Sequence, residues 1–116
     1  MKAIIEKRTQ ELAIECWRFC ARLPNSREYN NYVNQLLKSS SSVGANYRAA
    51  QRAKSTADFV NKLKIVEEEA DETLYWLEIF KKIADGHQKE IQRLYKEANE
   101  ILAIVVASIK TAKSKL

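Results

Sequence analysis

Two cysteines, one histidine, a run of serines and a run of acidic residues are the side chains of this chain that could support catalysis or metal binding. Cys16 and Cys20 are four residues apart, so they lie on the same face if the segment is helical. Two thiols without a neighbouring histidine make an incomplete zinc site, since structural zinc takes four ligands. We therefore expect both cysteines to be small packing residues that remain reduced.

The acidic run at residues 67–72 could belong to a two-metal carboxylate site on a four-helix scaffold. Such a site also requires Glu-x-x-His motifs from two helices, whereas the single histidine, His87, follows Gly86 between elements. Serines 39–42 have no adjacent histidine to activate a hydroxyl group. The sequence thus predicts no catalytic residue, metal, cofactor or enzymatic activity. A bundle enzyme with a metal or small-molecule site is the weakest alternative, because its ligands are missing.

The composition indicates which kind of fold positions these residues. Two glycines and one proline in 116 residues leave few turns, so the elements must be long. Sandwiches, barrels and doubly wound sheets are disfavoured, because they need a turn signal about every 8–12 residues. With 46% hydrophobic and 30% charged residues, the chain is typical of one globular domain spanning residues 1–116.

The cellular compartment is predicted from missing sorting signals. Residues 1–6 lack the basic segment and apolar run of a secretory signal. No apolar run approaches the roughly 18 residues of a membrane helix. We expect a cytoplasmic protein with no membrane partner.

Apolar residues recurring every three or four positions predict four long helices. Short links between long helices favour an all-α, antiparallel up-down-up-down four-helix bundle. Serines 39–42 could interrupt the second helix, but we favour a continuous one in which Ser40 and Gly44 let a neighbouring helix approach closely. The expected bounds are, in chain order, about 4–22, 26–52, 56–84 and 88–112.

Polar residues and a glycine mark the helix ends. Asn25 is the expected N-cap of the second helix, with Glu28 reaching back in a capping box. Ser55 is the expected N-cap of the third helix. Gly86 is expected to adopt the left-handed conformation that often follows a helix C-terminus.

The first and third helices carry more apolar residues than one packing stripe needs. At about 100° per residue, the extra residues lie away from the stripe that faces the core, and contiguous apolar patches usually mark protein–protein surfaces. We expect copies of the same chain to cover this outer face through a heterologous contact, which can close into a ring. The alternative is that one bundle is wide enough to cover both stripes, or that Trp76 lies over its neighbours as isolated surface. The outer face, with two acidic neighbours, comprises Ile14, Trp17, Ala21, Ile65, Glu69, Glu72, Trp76, Ile79 and Ile83.

Bundle topology concentrates the net charge of +5. The starts of the first and third helices and the ends of the second and fourth share one end, where eleven cations oppose Glu6, Glu11 and Asp58. Such a surface attracts phosphate backbones through counterion release. The alternative is that these cations complement helix dipoles and a solvated tail. We define this basic end by Lys2, Lys7, Arg8, Arg48, Arg52, Lys54, Lys62, Lys64, Lys110, Lys113 and Lys115.

Two functions are compatible with the basic end. It could bind RNA, DNA or a nucleoprotein, or it could belong to a protein-interaction scaffold and dock an acidic partner. No RNA-reading motif or stacking aromatic cluster decides between them. For the first function, the expected phosphate-positioning residues are Arg48, Arg52, Lys54, Lys62, Lys110 and Lys113.

Several blocks of the sequence together resemble the 23S rRNA-intervening sequence proteins, a bacterial family first named for reading frames inside 23S ribosomal RNA genes. The most specific block is Ser-Ser-Val-Gly-Ala-Asn-Tyr-Arg at residues 41–48, followed by Ser-x-Ala-Asp-Phe at residues 55–59. The resemblance covers about residues 12–80. The remaining blocks lie at residues 16–19, 23–28, 35–40, 62–63 and 67–77.

The resemblance implies a cytoplasmic bacterial bundle that assembles into a ring, commonly a pentamer. It also implies kinship with the accessory variability determinant of diversity-generating retroelements, a basic pentameric barrel that engages a reverse transcriptase and nucleic acid. It implies no catalytic residues. The copy number comes from this resemblance alone, since the residues themselves indicate only an outer apolar face.

Overall fold

The computed structural model describes all 116 residues and consists of four α-helices joined by short links. They are α1 (Lys2–Ala21), α2 (Arg27–Ala50), α3 (Thr56–Ile83) and α4 (Gln88–Lys113). α1 and α3 each pack against α2 and α4, whereas the backbones of diagonal helices do not approach closely. Arg22 at the end of α1 pairs with Glu90 at the start of α4. Tyr29 near the start of α2 donates to the carbonyl of Ile83 at the end of α3. Neighbours therefore run antiparallel, which confirms the predicted all-α four-helix bundle.

A contiguous core of 25 buried apolar side chains holds the bundle together. All four helices contribute to it, together with Leu23 and Ala84 from the links. Its largest fully buried members, Phe19 and Phe80, contact each other edge to face with ring centroids 5.4 Å apart. The bundle measures 47 × 22 × 20 Å, so its two ends are separate surfaces. None of the four helices combines the length and the apolar character that a bilayer-spanning segment requires.

Serine side chains cap two of the helix starts. Ser55 Oγ accepts a 3.1 Å hydrogen bond from the backbone N–H three residues later, as predicted. The prediction of Asn25 as the cap of α2 was wrong, because Ser26 Oγ makes the corresponding 3.1 Å bond. The Asn25 side chain instead accepts a bond from Asn30, and Glu28 contacts its neighbour rather than closing a capping box.

α2 continues without a break through serines 39–42, as predicted. The Ser39 and Ser40 hydroxyls donate to backbone carbonyls three residues earlier, which satisfies them inside the bundle. A Cβ placed on Gly44 would lie only 3.1 Å from Thr9 Oγ1 on α1, so the predicted close approach of a neighbouring helix is confirmed. Gly86 has a φ of +84°, the left-handed conformation expected after α3.

Candidate functional site

The topology brings the six expected phosphate-positioning residues to one end of the bundle. Arg48 lies on the last turn of α2, and Arg52 and Lys54 follow in the link to α3. Lys62 lies near the start of α3, and the remaining two lysines lie on the last turn of α4. The expected shared end therefore follows directly from the antiparallel arrangement.

Lys62 and Arg8 differ from the other cations of this end because carboxylates lie within hydrogen-bond distance of each. Lys62 Nζ lies 2.8 Å from both carboxylate oxygens of Asp58. The hydrogen bond from Lys62, followed by the backbone N–H of Lys54, lowers the pKa of the Asp58 carboxyl group. Arg8 Nη2 lies 2.6 Å from Glu97 and 3.0 Å from Glu100, and the bond to Glu97 raises the pKa of its guanidinium. These contacts neutralise two of the eleven predicted cations.

Eight cations of the basic end make no ion pair within the chain. Besides these eight and the paired Arg8 and Lys62, the basic end contains Lys7. Its exposed ion pair with Glu11, at 3.9 Å, contributes little stability. The positive charge at this end is therefore mostly uncompensated. The eight are Lys2, Arg48, Arg52, Lys54, Lys64, Lys110, Lys113 and Lys115.

A groove between α1 and α2 opens on one side of this end. Its floor is built from small residues around the close approach at Gly44. Four cations line it against one carboxylate, that of Glu6, and no aromatic side chain does. The cations are Lys2, Lys7, Arg48 and Arg52.

The outer apolar face is only partly open to solvent. Trp17 on α1 is 60% exposed, and Ile14, Ile65 and Ile83 are each more than two-fifths exposed. The expectation that Trp76 points outward needs correction. It is half-buried against Tyr32 and Tyr75, with ring centroids 5.9 and 5.0 Å apart.

The remaining members of the outer face vary in exposure. Ala21 is exposed, whereas Ile79 is half-buried. Glu72 is exposed and Glu69 is half-buried beside it. Burial, followed by the charge of Glu72, raises the pKa of the Glu69 carboxyl group. Trp76 Nε1 is buried without a hydrogen-bond partner in the chain.

The side chains with possible catalytic or metal chemistry remain dispersed. No three His, Cys, Asp or Glu side chains come together in a way that could hold a metal ion. Cys16 and Cys20 are buried free thiols, and burial raises the pKa of each to about 12. The His87 ring packs edge to face against Phe19, with centroids 5.8 Å apart. The geometry supports packing roles for all three residues.

A row of ion pairs between α1 and α4 is a feature that the sequence reasoning missed. Besides the contacts of Arg8, Glu15 lies 3.4 Å from Arg93, and Arg22 pairs with Glu90. The hydrogen bond from Arg18 is the largest cause that lowers the pKa of Glu15. Arg8, Glu15 and Arg22 are spaced seven residues apart. This heptad spacing of charges could have predicted the row of ion pairs from the sequence.

Comparison with known proteins identifies relatives of the whole bundle. A family model described as 23S rRNA-intervening sequence protein matches residues 1–107. A crystal structure from Bacteroides thetaiotaomicron VPI-5482 has a TM-score of 0.84 and 32% sequence identity, covering 91% of this chain and 98% of that one. That protein is described as having unknown function and belonging to the S23 ribosomal protein family. No match was found among curated proteins.

Proposed function

Because this chain belongs to the 23S rRNA-intervening sequence protein family, we propose that it is a non-enzymatic, self-associating bundle whose basic end binds the phosphate backbone of RNA or DNA. The nucleic acid is bound alone or within a nucleoprotein such as a reverse transcriptase complex. The cations act as phosphate-positioning charges that carry no base specificity.

The observation that carries this proposal is the set of eight unpaired cations at one end. Four of the nine cations outside this end have carboxylate partners, compared with three of the eleven within it. Clustered cations without partners repel each other, which destabilises the folded chain, so a bound polyanion would relieve the repulsion. Phosphate backbones supply that charge and release counterions on binding.

Self-association is supported by the exposed part of the outer face. A tryptophan that is 60% exposed, with Ile14 exposed on the same helix, is typical of a contact surface. A side-by-side ring, for which the resemblance favours five copies, would direct every basic end to one rim. Phosphate binding would then gain from several subunits acting together.

Multi-angle light scattering tests the self-association. We expect a species larger than the 13.4 kDa chain at micromolar concentration. Trp17→Asp should shift it towards the monomer, whereas Ile4→Asp, at another exposed apolar position of α1, should not. A wild-type protein that remains at 13.4 kDa contradicts the assembly.

Fluorescence anisotropy with labelled structured RNA at several salt concentrations tests the binding. Neutralising four cations of the basic end to glutamine should weaken binding and flatten its salt dependence. The matched control neutralises four cations at the opposite end. Absence of binding by the wild-type protein at low salt would refute the proposal, and nuclease-resistant capture of an acidic protein would then favour the scaffold function. The test variant changes Arg48, Arg52, Lys110 and Lys113, and the control changes Arg27, Lys81, Lys82 and Lys89.

A further inference from the structure

We infer that the groove between α1 and α2 is the path of one phosphodiester strand, held by Lys2, Lys7, Arg48 and Arg52. This inference rests on the proposed function and narrows its site from the whole basic end to one groove. It adds Lys2 and Lys7 to the contact residues and leaves out Lys54, Lys110 and Lys113, as well as Lys62, which Asp58 already neutralises.

The cations are placed on both sides of the groove. Lys2 and Lys7 are exposed on α1, while Arg48 and Arg52 are exposed one turn apart along α2 and the link that follows it. Lys7 is free to leave Glu11, because an exposed pair at 3.9 Å is weak. A strand lying between the two helices can therefore meet positive charge from both walls.

The floor of the groove admits a backbone but offers little to a base. Around the contact of Gly44 with Thr9, the floor is formed by small side chains such as Ala13, Ser41 and Ala45. Base recognition in single strands depends on aromatic stacking platforms, and the groove has no aromatic side chain. The ligand chemistry is therefore a phosphodiester chain without sequence preference, supplied by a single strand or by one strand of a duplex.

Glu6 is the one carboxylate that lines the groove. A phosphate placed among the four cations would also be near this negative charge, which opposes its binding. Neutralising Glu6 should therefore strengthen binding. An increase in affinity is informative, because a damaged fold cannot produce it.

The groove and the exposed Trp17 lie at different positions along the axis of α1. Lys7 and Trp17 are ten residues apart on α1, which corresponds to about 15 Å along the helix axis. The groove lies around the first half of α1, whereas Ile14, Trp17 and Ala21 belong to the second half. A neighbouring subunit that contacts only the second half of α1 leaves the groove open.

The first test compares two variants that each lose four positive charges. The groove variant changes Lys2, Lys7, Arg48 and Arg52 to glutamine, and the cap variant changes Lys54, Lys64, Lys110 and Lys113. Binding of labelled poly(U), poly(A) and an RNA hairpin is measured by anisotropy across salt concentrations. Four contacts to a single strand predict a log–log salt slope of about −2.8, or about a 50-fold loss of affinity between 50 and 200 mM salt. The groove variant should lose this slope and the cap variant should keep most of it.

The second test leaves the number of cations unchanged. Ala45→Leu narrows the groove at an exposed position of α2 without adding a stacking surface, and we expect it to weaken binding severalfold. Glu6→Gln should tighten binding severalfold, and circular dichroism checks that both variants keep their helices. Equal affinity for the two homopolymers is expected, and their comparison with the hairpin shows whether the strand comes from single-stranded or duplex RNA.

The outcomes separate the inference from the proposed function. If the wild-type protein binds none of the three RNAs, the proposed function fails. If it binds but the cap variant loses affinity while the groove variant and Ala45→Leu do not, the groove is wrong and the proposed function stands. A strong preference between the homopolymers would also overturn the inference.

Discussion

Gly44 is the position at which one added side chain should force two helices apart. A Cβ at this position would lie 3.1 Å from Thr9 Oγ1 and 3.3 Å from Thr9 Cβ, both tighter than ordinary contact. The two methyl groups of a valine extend further than a Cβ. Gly44→Val therefore requires α1 to move away from α2, which loosens the packing of Leu12 and Val43 below.

The expected cost follows from two opposing effects. Overpacking of this kind costs about 1–3 kcal/mol. Replacing glycine by valine inside a helix returns only about 0.4 kcal/mol of helix propensity. We therefore expect Gly44→Val to lower the free energy of unfolding by about 0.6–2.6 kcal/mol.

Urea denaturation followed by circular dichroism measures this change. A loss of 2 kcal/mol should move the unfolding midpoint by about 1 M, given the usual urea dependence of small proteins. Ala45→Val is the matched control, because Ala45 is exposed on the same helix and should cost only about 0.6 kcal/mol in helix propensity. If Gly44→Val is no less stable than this control, α1 and α2 do not meet as closely as described.

Three further predictions concern thiol reactivity, the ion pairs and pH. Cys16 and Cys20, whose pKa values burial raises to about 12, should react with a disulfide reagent on the order of 100-fold more slowly in the native protein than in urea; equal rates would mean accessible thiols. Arg8→Met should lower stability by about 1 kcal/mol, because Glu97 loses its paired hydrogen bonds. The loss should shrink as salt rises, and a salt-independent loss would indicate lost packing instead. Glu69→Gln should raise stability at pH 7 by about 0.5 kcal/mol or less, because burial raises the pKa of this carboxyl group and disfavours its charged form. That gain should vanish below about pH 4.3, and a gain that persists at pH 3 would contradict the assigned cause.

The helices were predictable because their apolar residues recur with helical spacing along the whole chain. The same spacing could not decide between Asn25 and Ser26 as the cap of α2, since both residue types cap well and a shift of one residue leaves the stripe unchanged. At the start of α3 the one neighbouring residue that could also cap the helix is Thr56. The prediction of Ser55 was correct there. Gly44 was predictable for a different reason, because a glycine in a continuous helix needs a packing explanation.

The candidate site was less predictable because it depends on side-chain pairing. Lys62 and Asp58 are four residues apart, a spacing that permits pairing but does not require it. Arg8 meets Glu97 only because α1 lies beside α4, which no local pattern specifies. Trp76 differs from Trp17 for a similar reason, since the half-buried ring is covered by Tyr32 from another helix.

The row of ion pairs between α1 and α4 also determines which side chains an incompletely synthesised chain exposes to water. α1 can pack against α2 soon after synthesis, but α4 is made only after some sixty further residues. Until then the surface that α4 will cover displays Arg8, Glu15 and Arg22 to water. Partly made chains tend to aggregate through exposed apolar surface, so charged residues on this surface of α1 should lower the tendency of the incomplete chain to aggregate.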